Sequence, residues 1–289
     1  MIVRKDSYLQ GAVDFLIESA PDVQARYAGC LELARQARDA GLRAIVLLDD
    51  LTQTIHKAYY VNRYVQGIQA LGGITLNRTA GGYDVRTVEF ACRLGARVVR
   101  LATCDARGAG PQEPPSFGQA VEPLTLLNEK RADLLPVAKK ILDIMARHRV
   151  VILTGRIDAQ EALAAARYCK EIGCTRLVVG GVNAALDQYT DDVLGRLLRY
   201  GASMSLSYVN LTPGRARQDP RECARLVDKF GPNAIVLESG LGSVENVSPS
   251  EGLRCFCHYL AKCGVSTDYV DLMVKRNPAR LLGLEATGG

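Results

Sequence analysis

Histidine is scarce in this chain, with three in 289 residues, at His56, His148 and His258. Each falls inside an amphipathic helical stretch. Zinc and its neighbours need three or four converging imidazole or thiolate donors, so a nitrogen-ligated metal site has little to be built from. Paired Cys-x-x-Cys motifs are also missing. The nine cysteines are odd in number in a long chain, which argues against a disulfide framework. Cys255, Cys257, His258 and Cys263 lie close together and suggest a zinc cluster. Leu253, Phe256, Leu260 and Cys263, however, form one apolar helical stripe, so reduced thiols on a helix are expected there. No apolar run approaches the roughly 20 uncharged residues of a membrane span. Met1–Gln10 contains no apolar core of an export signal, and a cytoplasmic location is expected. Basic residues exceed acidic ones only slightly, 36 to 31, and the arginines are scattered, which excludes a nucleic-acid footprint. A modest positive balance suits a small anionic molecule, with no membrane partner.

What is present is a regular alternation of short apolar runs and amphipathic stretches. Strands are expected at Val13–Ile17, Ala44–Leu48, Gln69–Leu76, Val98–Ala102, Val150–Thr154, Leu177–Gly180, Ser203–Ser207 and Ala234–Glu238. Helices are expected near Ala25–Ala40, Thr52–Tyr64, Asp84–Leu94, Leu134–His148, Ala159–Ile172, Asp187–Tyr200, Pro220–Phe230 and Pro249–Cys263. Strands and helices alternating in this way give parallel βαβ units, and eight of them close into a barrel. The fold class is therefore α/β, a single (β/α)8 TIM barrel over residues 1–289 with an extra C-terminal helix. One long irregular segment, Asp105–Lys130, is rich in Gly and Pro and is expected to act as a lid or interface loop. Active sites of such barrels lie at the C-terminal strand ends. That rule selects Glu18, Asp49, Asp50, Asn77, Arg78, Cys104, Asp105, Arg156, Asn183, Tyr208 and Glu238 as the residues to consider.

The closing segment Lys275-Arg276-Asn277-Pro278-Ala279-Arg280-Leu281-Leu282-Gly283-Leu284 resembles the C-terminal helix of the amidohydrolase superfamily. Gly11 to Asp14 with Ala20-Pro21-Asp22, Gly41-Leu42-Arg43-Ala44, and Gly72-Gly73-Ile74 through Leu76-Asn77 are similar to one uncharacterised amidohydrolase-like family within it. Gly81-Gly82, Leu94-Gly95-Ala96-Arg97-Val98-Val99, Thr103 and Asp105 extend the likeness over nearly the whole chain. The resemblance implies the barrel fold and a metal-dependent hydrolase, but the metal ligands do not match. Where the superfamily has Asp-x-His-x-His, this chain reads Asp14-Phe15-Leu16-Ile17-Glu18. Leu48, Asp49 and Asp50 stand where relatives have a lysine and two histidines. Arg156 replaces the fifth-strand histidine, Gly181 the sixth-strand histidine and Gly240 the eighth-strand aspartate. A conventional binuclear site is excluded on this reading, and no metal or cofactor is expected.

The replacements carry chemistry of their own. Glu18, Asp49, Asp105 and Glu238 are candidate acid–base residues, because unlike surroundings let carboxyls divide those roles. Arg156, Arg78, Asn77, Asn183 and Tyr208 are candidate substrate-binding residues, the arginine fork matching carboxylate or phosphate. Glu18 and Arg156 are expected to pair. Cys104 is a possible nucleophile near Arg100 or His56, although a small buried side chain is the commoner reading. The leading expectation is a metal-independent enzyme of hydrolase, lyase or isomerase type. The alternative is a pseudoenzyme barrel kept for binding or assembly. A magnesium site built from Glu18, Asp49 and Asp105 is a third option. A homo-oligomer is expected.

Overall fold

A computed structural model describes residues 6–109, 122–214 and 217–284. Eight strands, β1 (Val13–Ile17), β2 (Ala44–Leu47), β3 (Gln69–Thr75), β4 (Val98–Arg100), β5 (Val151–Leu153), β6 (Leu177–Val179), β7 (Ser203–Ser207) and β8 (Ile235–Glu238), lie in sequence order and pair in parallel. The helices between them are α1 (Cys30–Ala40), α2 (Ile55–Tyr64), α3 (Val85–Leu94), α4 (Pro136–Arg147), α5 (Ala159–Glu171), α6 (Asp191–Arg199), α7 (Pro220–Phe230) and α8 (Pro249–Lys262). This is the (β/α)8 barrel.

Side chains alternate across each strand, so one sequence feeds two apolar layers. Phe15, Val46, Val98, Leu153, Val178 and Val236 fill the barrel interior. Ile45, Val99, Ile152, Val179 and Leu237 face the opposite way, against the helices. A side chain of this size stabilises the fold by about 1.5–3 kcal/mol when fully buried. The extra C-terminal helix is observed as α9 (Thr267–Asp271), a π-turn over Leu272–Arg276, and α10 (Asn277–Leu282). Leu281 and Leu282 join the interior cluster. The Asn277 side-chain amide donates to Pro232 O and Ile235 O, both at 2.7 Å, which places α10 under the N-terminal end of β8. With that end plugged, the opposite end is left for a site.

Of the helices, α1 and α6 start furthest beyond the positions that the apolar pattern suggests. α1 begins at Cys30, not Ala25, because residues 20–29 are held as a loop by Ala20 N–H to Ala28 O and Cys30 N–H to Ala20 O. α6 begins at Asp191, where the Thr190 hydroxyl caps Val193 N–H. Most of the Gly- and Pro-rich part of Asp105–Lys130 lies outside the described residues. No helix among the described residues is long and apolar enough to cross a membrane. All nine cysteines are free thiols, and α8 carries Cys255, Cys257 and His258 as the helical stripe requires.

Candidate active site

A cavity of about 380 Å³ opens at the C-terminal ends of the strands. Leu16, Glu18, Asp50, Arg100, Arg156, Ser207 and Glu238 are among its lining residues. A register shift between Asp14 and Ile17 brings Leu16 and Glu18 to it from β1, although Val13 and Phe15 fill the interior below.

The charges are arranged around Arg100. It ends β4 two residues after inward-facing Val98 and is 7% exposed. Its Nε donates to Thr75 Oγ1 at 2.9 Å, and its Nη2 donates to Asp50 Oδ1 at 2.8 Å. Thr103 Oγ1 donates to the same Asp50 oxygen at 2.8 Å. Burial works to raise the Asp50 carboxyl, but Arg100, the Thr103 hydrogen bond and Arg156 outweigh it and hold Asp50 below the usual range. Glu18 goes the other way. Burial, then the neighbouring charge of Asp50, push it up against the pull of Arg26 and Arg100. Two adjacent carboxyls are thereby driven apart, one staying ionised and the other holding its proton toward neutral pH.

Glu238 ends β8 and is 3% exposed. Its Oε1 accepts hydrogen bonds from Ser205 Oγ, at 3.0 Å, and from Ser207 Oγ. Its Oε2 is buried and has no hydrogen-bond partner among the described residues. Burial raises this carboxyl, with the serine bonds and Arg100 opposing.

Of the residues selected from sequence, Glu18, Asp50, Glu238 and Arg156 meet at the cavity. Glu18 forms an ion pair with Arg26, a partner that the sequence reading did not name. Arg156 is exposed at the rim, its backbone N–H donating to Ala102 O at 2.9 Å. The others are placed elsewhere. Asp49 is salt-bridged to Lys57 of α2 at 2.5 Å, and burial still raises its carboxyl against that partner. Asp105 Oδ2 accepts the Arg78 backbone N–H at 2.6 Å, and the Arg78 guanidinium donates to Glu122 O. Asn77 stitches loops together, donating to Asp50 O and Thr103 Oγ1 and accepting Thr103 N–H. Asn183 clamps the Ser207 backbone through both its amide groups, each at 3.0 Å. Tyr208 packs on Phe256 and Tyr259 of α8. Burial, and then Asp105 and Asp50, push the Cys104 thiol up to about 11, so it is not a thiolate at neutral pH.

Sequence reasoning passed over Arg100 as a site residue, and Ser205 and Ser207 altogether. The signal was a period of two. Arg100 follows Val98 on the inward face, and Ser203, Ser205 and Ser207 alternate along a buried strand.

The residues present do not fit a binuclear transition-metal centre. Arg100 occupies the middle of the carboxyl cluster, where its guanidinium opposes a second cation. His56 is exposed on α2, His148 lies 3.5 Å from Glu89 at the end of α4, and His258 on α8 bonds Asp6 at 2.6 Å. Asp49 is held by Lys57, and Asp105 by the Arg78 backbone N–H. Among the described residues no three His, Cys, Asp or Glu side chains come together to hold a metal ion.

The barrel is similar to three solved structures at low identity. An amidohydrolase from Pseudomonas aeruginosa is 12% identical with a TM-score of 0.64, over 95% of this chain and 96% of that one. Dipeptidase AC, a metallopeptidase, is 11% identical with a TM-score of 0.65, over 95% and 98%. A phosphotriesterase from Mycobacterium tuberculosis is 14% identical with a TM-score of 0.56, over 96% and 95%. These likenesses show the shared (β/α)8 barrel fold. No curated protein matches the chain. The family model described as "Family of unknown function (DUF6282)" matches residues 11–205, from just before β1 into β7, and the chain belongs to that family.

Proposed function

We propose that the protein is a metal-independent amidohydrolase-like enzyme that acts on a small anionic substrate through carboxyl acid–base chemistry and arginine anchoring. Glu238 carries this reading. A buried carboxyl oxygen without a hydrogen-bond partner costs about 1–3 kcal/mol or more, a cost that folding alone does not require. Placed in a cavity beside Arg100, it is available to a substrate hydrogen.

Glu18, whose carboxyl is raised, acts as the proton donor, and Glu238 as the acceptor. Arg156 at the rim holds the substrate's anionic group with its fork, and Arg100 faces the reacting centre. A cavity of about 380 Å³ is the size of a small-molecule site. The amidohydrolase among the similar structures makes hydrolysis the first reaction class to assay.

The test uses purified protein treated with a chelator and checked by elemental analysis. Dicarboxylates and phosphate are titrated by calorimetry, and carboxylate-bearing lactones, esters and amides are assayed by proton release. Saturable anion binding is expected, together with chelator-insensitive turnover that falls at least about 10²-fold in Glu18→Gln and Glu238→Gln. Turnover that depends on about one tightly held transition metal per chain would overturn the metal-independent reading. Anion binding unchanged by Arg156→Met would overturn the anchor.

A further inference from the structure

Ser207 lies where two glycines have cleared space around it. A Cβ on Gly181 would come within 3.3 Å of Ser207 Oγ, and a Cβ on Gly240 within 3.4 Å of Ser207 Cβ and 2.9 Å of Val209 Cγ1. Both glycines line the cavity and have positive φ, +55° and +62°, which side chains rarely adopt. The backbone is thus shaped to leave the Ser207 hydroxyl face uncovered. These are also the positions where the resemblance implies metal ligands in relatives.

The hydroxyl is held in one orientation. Ser207 N–H donates to Asn183 Oδ1, and Asn183 Nδ2 donates to Ser207 O, so its backbone is clamped on both sides. Ser207 Oγ donates to Glu238 Oε1. Ser205 fixes that acceptor, because its own oxygen receives the Gly181 N–H at 2.8 Å and its hydrogen goes to Glu238 Oε1 at 3.0 Å. A nucleophile bonded to a base, with the base oriented by a third group, is the arrangement of covalent catalysis.

We propose that Ser207 is the nucleophile of this enzyme and Glu238 its general base, forming an acyl-serine intermediate from a small anionic ester, lactone or amide. The inference rests on the acid–base reading above and extends it. Ser207 Oγ bonds to the carbonyl carbon while its proton passes to Glu238. The tetrahedral adduct collapses, the bond to the leaving oxygen or nitrogen breaks with its electron pair, and that atom takes the proton that Glu238 accepted. Water then attacks the acyl carbon and gives a proton to Glu238. The second adduct collapses as Ser207 Oγ takes that proton back, and the product acid loses its own proton to solvent. The Arg100 charge offsets the negative oxygen of each adduct.

An alkyl phosphonofluoridate tests this on the intact protein, because it phosphonylates an activated serine and releases fluoride. One adduct per chain is expected, at Ser207 within the tryptic peptide Tyr200–Arg215. Labelling should quicken as pH rises and Glu238 loses its proton. It should be absent in Ser207→Ala and slowed at least tenfold in Gly181→Ala, whose added methyl crowds Oγ. No adduct on the folded wild-type protein, or an adduct on another residue that persists in Ser207→Ala, would overturn the proposal. Anion binding through Arg156 would survive that result, so the two readings fail separately.

Discussion

The carboxylate of Asp14 accepts the backbone N–H of Ser239 at 2.9 Å, joining β1 to β8 where the barrel closes. Around it the strands are linked by Gly240 N–H to Leu16 O, Glu18 N–H to Leu241 O and a single bridge between Ile17 and Leu241. The side chain adds a link between strands that few backbone bonds join. Glu18 takes part in one of those bonds and its side chain lines the cavity, so seam and site share residues.

Asp14 ties stability to pH. It is fully buried, and burial, with the charge of Glu238 adding, raises its carboxyl to about 7 against the Ser239 and Leu16 hydrogen bonds. The folded form therefore keeps a proton that the unfolded chain loses near pH 4, so stability falls as pH rises from about 4 to 7. Asp14→Asn keeps an acceptor for Ser239 and cannot titrate. Urea unfolding should show wild type gaining on this variant at pH 5 relative to pH 8. An equal difference at both pH values would remove Asp14 as the cause.

Arg26 is a second structural test. Its guanidinium is 3% exposed and binds both Glu18 and Asp22. Arg26→Leu leaves Glu18 buried without its ion pair, a loss of about 3–5 kcal/mol at neutral pH. Glu18 is already raised and would rise further, so acidification should restore much of the loss by neutralising it. Thermal unfolding at pH 5 and pH 8 reads this directly, and a deficit independent of pH would assign the effect to packing.

The barrel was legible because its two apolar layers repeat with a period of two and its helices with 3.6. β1 and β7 match the expected bounds, and the others differ by one or two residues at their ends. The site was legible only in part. Glu18, Arg156 and Glu238 stand at strand ends that any such barrel directs to its mouth. Which loop residues turn inward depends on partners remote in sequence, such as Lys57 for Asp49 and Ser207 for Asn183. Arg26 was hidden because the helical pattern of α1 extended over it. Arg100 was hidden inside an expected strand that ran on to Ala102, and Ser207 closed its strand at a position first read as core.

Cys104 gives a prediction with an unmodified site. With its thiol pushed up to about 11, it should alkylate slowly at pH 8, well behind an ordinary exposed cysteine. Cys104→Ala should keep both phosphonofluoridate labelling and anion binding. Peptide mapping after a short iodoacetamide pulse checks the first point, and fast modification of Cys104 would contradict its surroundings.

Arg156 separates anchoring from architecture. It is exposed, so replacing it should change the melting temperature little, unlike Arg100, which is 7% exposed and bonded to Thr75 and Asp50. Arg156→Met should weaken anion binding at least tenfold while unfolding stays within about 0.5 kcal/mol of wild type. Arg156→Lys should recover only part of the affinity, because an ammonium group offers a charge without the planar fork. Asp50 supplies an internal readout, since the Arg156 charge helps to hold its carboxyl low. Its titration, followed by carboxyl carbon chemical shifts, should move upward in Arg156→Met. An unmoved Asp50 together with unchanged binding would place the Arg156 charge away from the cavity and transfer the anchor to Arg100.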